Sequence, residues 1–102
     1  MRAIVGSKIR KIVVACDAGM GSSVMLASQL SARLARYSVT VTHSPINSIP
    51  SDADLVLCQQ RLVDRARHAA PGVVVLGFQM FLGDPLFLHV EEAIKSGAEI
   101  RD

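Results

Sequence analysis

Cys16 is followed by Asp17-Ala18-Gly19-Met20-Gly21-Ser22-Ser23, which gathers a soft nucleophile, two glycines and two adjacent hydroxyls into one short stretch. Gly19 and Gly21 let the backbone turn tightly and aim successive N–H groups inward, the arrangement that forms an anion-binding nest. A helix that starts just after the glycines adds roughly half a positive charge at the same spot. Ser22 and Ser23 are placed to cap that helix or to donate hydroxyls to a bound oxyanion. The thiolate is the nucleophilic form of cysteine, and a helix N-terminus favours it. Taken one at a time, a glycine turn and a cysteine at a strand end are ordinary, and a buried structural thiol is the plainer alternative. Their combination favours a reactive cysteine set in an oxyanion cradle.

Three familiar phosphate loops fail against these residues. A nucleotide-binding loop needs Lys-Ser or Lys-Thr after the glycines, and neither pair is present. The dinucleotide fingerprint starts with Gly19 and Gly21 but runs on through Val24 to Met25 and Leu26 without its third glycine. A cysteine phosphatase needs an arginine six residues after the nucleophile to clamp the phosphoryl oxygens, and Ser22 stands there. Without that clamp a highly charged hydrolytic transition state loses stabilisation. A phosphocysteine that waits for another acceptor remains compatible with the loop.

The elements that must hold this loop read as alternating strands and helices. Ile12-Val13-Val14-Ala15 is a β-branched run suited to a strand buried on both faces. Residues 22–36 carry Val24, Met25, Leu26, Ala27, Leu30 and Leu34 at helical spacing. Residues 39–42 predict a second strand, with loop around Ser44-Pro45 and Ile49-Pro50. Residues 54–58 predict a third strand, residues 59–70 a helix stopped by Pro71-Gly72, and residues 73–76 a fourth strand. Asp84 is placed as N-cap and Pro85 as first residue of a last helix running to Ser96 and closed by Gly97. The fold class is therefore α/β, a four-stranded parallel open sheet with right-handed crossovers. In such sheets ligands sit beyond the carboxyl ends of the strands, near the reversal of strand order. Cys16 is at such an end. The pattern leaves the strand order itself open.

Composition narrows the function classes. The chain has 102 residues, half of them hydrophobic, and a net charge of +2. That size makes one domain able to bury roughly two-thirds of its unfolded surface without disulfide or metal staples. The charge is too small to argue for nucleic acid or a polybasic membrane contact. No uncharged run reaches the ~18 residues of a membrane span, and the first eleven residues lack the apolar core of a secretory signal. Residues 1–10 read as a short frayed arm and residues 11–102 as a single domain. Two cysteines are too few for a disulfide framework, so a cytoplasmic protein is expected. His43, His68 and His89 show no metal-ligand spacing, and neither metal nor cofactor is called for.

The segment Lys11-Ile12-Val13-Val14-Ala15-Cys16-Asp17-Ala18-Gly19-Met20-Gly21-Ser22-Ser23 resembles the phosphorylation-site segment of the IIB component of sugar phosphotransferase systems (PTS), mannitol-type branch. The similarity continues through Ile46-Asn47-Ser48-Ile49-Pro50-Ser51-Asp52-Ala53-Asp54-Leu55-Val56 and Arg61-Leu62-Val63-Asp64-Arg65-Ala66, with a weaker echo at Met80-Phe81-Leu82. The resemblance implies a four-stranded parallel sheet with helices on both faces, similar in architecture to low-molecular-weight tyrosine phosphatases. It implies that Cys16 accepts a phosphoryl group from a phosphohistidine of the IIA component. It further implies transfer to a sugar, a hexitol such as mannitol being the first choice, bound in the membrane IIC component. Asp17, Ala18, Gly19, Met20, Gly21, Ser22 and Ser23 would form the phosphate-binding loop. The protein would be cytoplasmic and peripherally associated with the transporter, and Met1 and Asp102 read as the ends of a separate subunit. The alternatives are a cysteine-dependent phosphatase and a non-catalytic anion-binding regulatory module.

Several further residues need a role. Asp17 would repel a phosphoryl dianion, so it either orients the loop by accepting local N–H bonds or faces water. Cys58, where the resemblance leads one to expect a polar residue, reads as a small buried hydrophobe, with a Cys16–Cys58 disulfide as the alternative if the Cα atoms come within ~7 Å. Arg61 and Arg65 share a helix face that Asp64 can offset, which favours a solvated surface. Arg61 could instead approach the phosphate rim. Gly83-Asp84-Pro85 invites comparison with the general-acid loop of the phosphatases, although the N-cap reading is preferred. Met20, Met25, Met80 and Phe81 form a candidate apolar collar where transient partners dock.

Overall fold

A computed structural model describes residues 2–17, 22–80 and 83–102. In chain order, β1 (Ala3–Val5) leads through a 3-10 turn (Gly6–Lys8) into β2 (Lys11–Cys16). Helix α1 (Ser22–Leu34) and a 3-10 turn (Ala35–Tyr37) connect to β3 (Thr40–Pro45), and a further 3-10 turn (Ile46–Ser48) precedes β4 (Leu55–Gln59). Then come a 3-10 turn (Gln60–Leu62), α2 (Val63–Ala69), β5 (Val74–Phe78), α3 (Pro85–Ser96) and β6 (Glu99–Arg101). Strands β2 to β5 form one parallel sheet in the order β3-β2-β4-β5, and β1 pairs antiparallel with β6 in a separate two-stranded sheet. The parallel α/β sheet expected from the alternation of elements is the observed architecture.

The two central strands explain the near-continuous apolar runs. Ile12 to Val14 in β2 and Leu55 to Cys58 in β4 are fully buried, as strands covered on both faces must be. Side chains alternate along each strand, so the sheet carries two cores. Ile12, Val14, Leu55, Leu57, Val74 and Phe78 pack with α1 and α3 on one face. Val13, Ala15, Val56, Cys58 and Val75 pack with α2 and Ile46 on the other. A fully buried Val, Leu, Ile or Phe contributes roughly 1.5–3 kcal/mol, so these two layers dominate the favourable side of folding. Phe78 and Phe87 add a tilted ring pair with centroids 5.4 Å apart. At the amino end of the sheet, the Asp54 carboxylate accepts the Arg10 and Lys11 N–H groups at 2.8 and 3.0 Å and fastens the start of β2 to β4.

Some boundaries differ from the sequence reading. The expected frayed arm is instead paired: Ala3, Ile4 and Val5 align with Arg101, Ile100 and Glu99. Gly6 is buried against α3, where a Cβ would come within 2.0 Å of the Ala93 carbonyl oxygen. Only a residue without a side chain allows that approach. Asp102 closes the arrangement from the other terminus. Its side chain is almost wholly buried, accepts the Arg2 and Val75 N–H groups at 3.1 and 3.0 Å, and pairs with Arg2 Nε at 3.1 Å. Strand β3 runs on to Pro45 because Ser44 and Pro45 continue its pairing with Ala15 and Cys16. The helix expected over 59–70 begins with a 3-10 turn and is α-helical only from Val63 to Ala69. Helix α3 starts and stops as expected, with the Asp84 side chain accepting Leu86 N–H at 2.9 Å, Pro85 in the first turn, and Gly97 at φ 80° as C-cap.

Candidate active site

Helix α1 follows β2 onto one face of the sheet, and α2 follows β4 onto the other. The chain segments leaving these adjacent strands therefore diverge, which opens the crevice expected at a reversal of strand order. Cys16, the last residue of β2, stands at its mouth, half-buried. Its Sγ lies 3.0 Å from the Ser23 hydroxyl in the first turn of α1. Ser23 is 2% exposed, a rare buried polar residue in an otherwise apolar interior. Strand end and helix start thus hold thiol and hydroxyl together. Ser22 opens α1 and is exposed, and the expected loop residues Ala18, Gly19, Met20 and Gly21 lie outside the described residues.

Asp17 is exposed and has partners that neither of the roles weighed for it named. Its carboxylate receives Arg65 Nη1 at 2.6 Å on one oxygen and Arg61 Nη1 at 3.2 Å on the other. Arg61 also donates through Nη2 to Gln59 Oε1 at 3.3 Å. The Arg65 hydrogen bond, supported by the Arg61 hydrogen bond and both charges, holds the Asp17 carboxyl below the usual carboxylate range against a smaller opposing effect of desolvation. The arginine pair that reads in sequence as a solvated face beside Asp64 is therefore tied across the crevice to the residue next to Cys16. A glycine on the neighbouring strand makes room for this. A Cβ on Gly77 would sit 2.3 Å from Gln60 Oε1, 2.8 Å from Val63 Cγ2 and 2.9 Å from Gln60 Cα. Gly77 thus lets the turn that carries Arg61 close down over the end of β5. In sequence Gly77 is one more residue of an apolar run, and only the packing reveals its part.

The comparisons with known proteins bear on this same stretch of chain. The family described as "PTS system, Lactose/Cellobiose specific IIB subunit" matches residues 11–86, most of the chain. The chain belongs to the PTS IIB family. Among curated relatives it is 40% identical over 94 residues to a "PTS system mannitol-specific EIICB component" of Geobacillus stearothermophilus, covering 90% of this chain and 20% of the relative. It is 40% identical over 89 residues to the protein of that name in Bacillus subtilis, covering 85% of the chain and 19% of the relative. With a "PTS system mannitol-specific EIICBA component" of Vibrio cholerae it shares 43% identity over 83 residues, 79% of the chain and 13% of the relative. The chain thus spans about a fifth or less of the length of these relatives.

Other residues singled out in the sequence have structural places in this IIB domain. Cys58 faces the α2 core with Val13 and Ala15, whereas Cys16 meets α1 through Ser23, and neither cysteine is in a disulfide. The two thiols point to opposite faces of the sheet, which removes the disulfide alternative. Burial raises the Cys58 thiol to about 11, so it stays protonated and inert. Asp84 accepts N–H groups from Leu86, Gln79 and Met80 at 2.9, 2.8 and 3.1 Å. The Leu86 bond first, and the other two with it, lower its pKa. A carboxylate so engaged is a helix cap. His43, His68 and His89 are exposed, and among the described residues no group of side chains is arranged to hold a metal ion. Met25 and Met80 are exposed, as an apolar collar requires, while Met20 and Phe81 lie outside the described residues. A groove of about 420 Å³ between α1 and α3 is lined by Leu26, Leu30, Phe87 and Leu88 together with Arg33 and Asp84. Arg33 pairs there with Glu91 and Asp84 is the cap, so the groove carries no spare reactive group. No helix among the described residues is long and apolar enough to cross a membrane.

Proposed function

We propose that Cys16 is the phosphoryl-carrying residue of this IIB domain, charged by a phosphohistidine of a IIA component and discharged onto a sugar held by a membrane IIC component. The observation that carries this reading is the placement of Cys16 Sγ at the end of β2, 3.0 Å from the hydroxyl of Ser23 in the first turn of α1. In the first step the sulfur attacks phosphorus in line, the S–P bond forms and the P–N bond breaks, and its electron pair goes to the imidazole nitrogen. The thiol proton is, in net terms, transferred to that nitrogen. In the second step a sugar hydroxyl oxygen attacks phosphorus, the S–P bond breaks, the thiolate leaves and the hydroxyl proton is released. The Ser22 and Ser23 hydroxyls and the backbone N–H groups of residues 17–23 hold the phosphoryl oxygens, with α1 contributing the positive end of its dipole.

The names of the mannitol-specific relatives favour mannitol as the sugar. The site operates in the cytoplasm at the inner face of the transporter, with exposed Met25 and Met80 offering apolar contacts for partners that come and go. Two observations speak against hydrolysis: Ser22 occupies the clamp position, and Asp84, the candidate general acid, is engaged by three backbone N–H groups.

The test is to incubate the protein with phosphoenolpyruvate, enzyme I, the histidine phosphocarrier and a mannitol-type IIA. One stable phosphoryl adduct is expected, absent in Cys16→Ser. Adding IIC-containing vesicles and mannitol should discharge the adduct and yield mannitol phosphate. Turnover of an aryl phosphate without an adduct would instead indicate a phosphatase. Phosphate binding with neither adduct nor turnover would indicate an anion-binding module.

A further inference from the structure

The Asp17–Arg61–Arg65 cluster has a use that the carrier reading leaves open. A carboxylate directly after Cys16 is the wrong charge beside a phosphoryl group, which carries about −1.5 to −2 at neutral pH. Two guanidinium groups converge on this carboxylate from a different part of the chain, so the three groups together carry one net positive charge. Exposed ion pairs contribute little to fold stability, and both arginine side chains are more than half exposed. Stabilising the fold is therefore a poor reason for the arrangement. Each guanidinium has five N–H donors. Asp17 engages one nitrogen of each, and Gln59 a second of Arg61. The pair thus keeps capacity to face a second anion while tied to the first.

We propose that Arg61 and Arg65 are positioning residues for the phosphorylated state: Asp17 tethers them at the mouth of the crevice, where their charge stabilises the phosphoryl group on Cys16. The proposal rests on the carrier reading above and deepens it by naming the counter-charge. In place of an arginine at position 22, the site draws its cations from the turn after β4 and from α2, the elements that follow the strand paired with β2. Without Asp17, the two long side chains would sweep through water, where charges more than about 8 Å apart are largely screened.

The deciding measurement is the equilibrium distribution of the phosphoryl group between the IIA histidine and Cys16, read by intact mass after the partners have equilibrated. Docking strength cancels from this equilibrium, so a variant that merely weakens IIA binding leaves it unmoved. Arg61→Gln with Arg65→Gln should shift it toward IIA by roughly tenfold, the scale of a charge-assisted interaction near a surface. Arg61→Lys with Arg65→Lys should recover most of that shift, because charge is what matters. Asp17→Asn alone should shift it toward IIA, whereas Asp17→Asn added to the double glutamine variant should shift it back toward Cys16, since an unneutralised carboxylate is then removed. An unchanged equilibrium in the glutamine variant, lysines as impaired as glutamines, or an Asp17→Asn effect of the same sign in both backgrounds would overturn the proposal. Failure of the unaltered protein to accept any phosphoryl group is a separate result, and it would overturn the carrier reading itself.

Discussion

Cys16 and Cys58 show how little a residue type says without its surroundings. Both close an apolar run of a strand, yet one meets a serine hydroxyl at a helix start and the other is sealed between Val13, Ala15 and α2. Burial pushes the Cys58 thiol up to about 11, because a thiolate there would lose its water. Alkylation of the native protein with iodoacetamide at pH 8 should therefore modify Cys16 and spare Cys58, with the second adduct appearing only in denaturant; equal modification of both under native conditions would contradict the assignment. Cys16 at a strand end and Ser22-Ser23 at a helix start were legible in sequence, because an apolar β-branched run precedes the one and helical spacing follows the other. The neutralisation of Asp17 was not. Its partners Arg61 and Arg65 lie 44 and 48 residues away, and local spacing offered the nearer Asp64 instead.

Among the elements, those with strong periodicity or clear punctuation were readable. Strands β2 and β4 announce themselves as fully apolar runs, and α3 by Asp84, Pro85 and Gly97. Strands β1 and β6 were missed because each spans only three residues and takes its strand character from the other, at the far end of the chain. The Asp84 cap gives a stability prediction with a defined pH dependence. Asp84→Ala should cost about 1 kcal/mol at neutral pH, measurable in urea unfolding. The native carboxyl titrates below the unfolded value of about 3.9, so the cap's contribution is fully present above that pH and is lost as pH falls through the lower native value. Wild type and variant should accordingly converge in stability as the pH is lowered well below 4. Gly77 links an element to the site. Gly77→Ala drives a methyl into the Gln60 backbone, which should destabilise the protein by about 1–3 kcal/mol and displace the turn bearing Arg61. A variant of unchanged urea midpoint would show that the turn yields freely.

For the whole molecule, the strand order β3-β2-β4-β5 was the part hidden from sequence, since periodicity identifies strands but not their neighbours. That order sends α1 and α2 to opposite faces and opens the sheet at Cys16, so topology, more than any local motif, locates the site. A chain of 102 residues buries its apolar side chains in two cores, one on each face of the sheet. The most direct test is to phosphorylate the protein through enzyme I, the histidine phosphocarrier and IIA, and to locate the group by peptide mass mapping and 31P NMR. One S-phosphate on Cys16 is the expected result. A phosphoryl group on His43, His68 or His89, or labelling that survives Cys16→Ser, would contradict it.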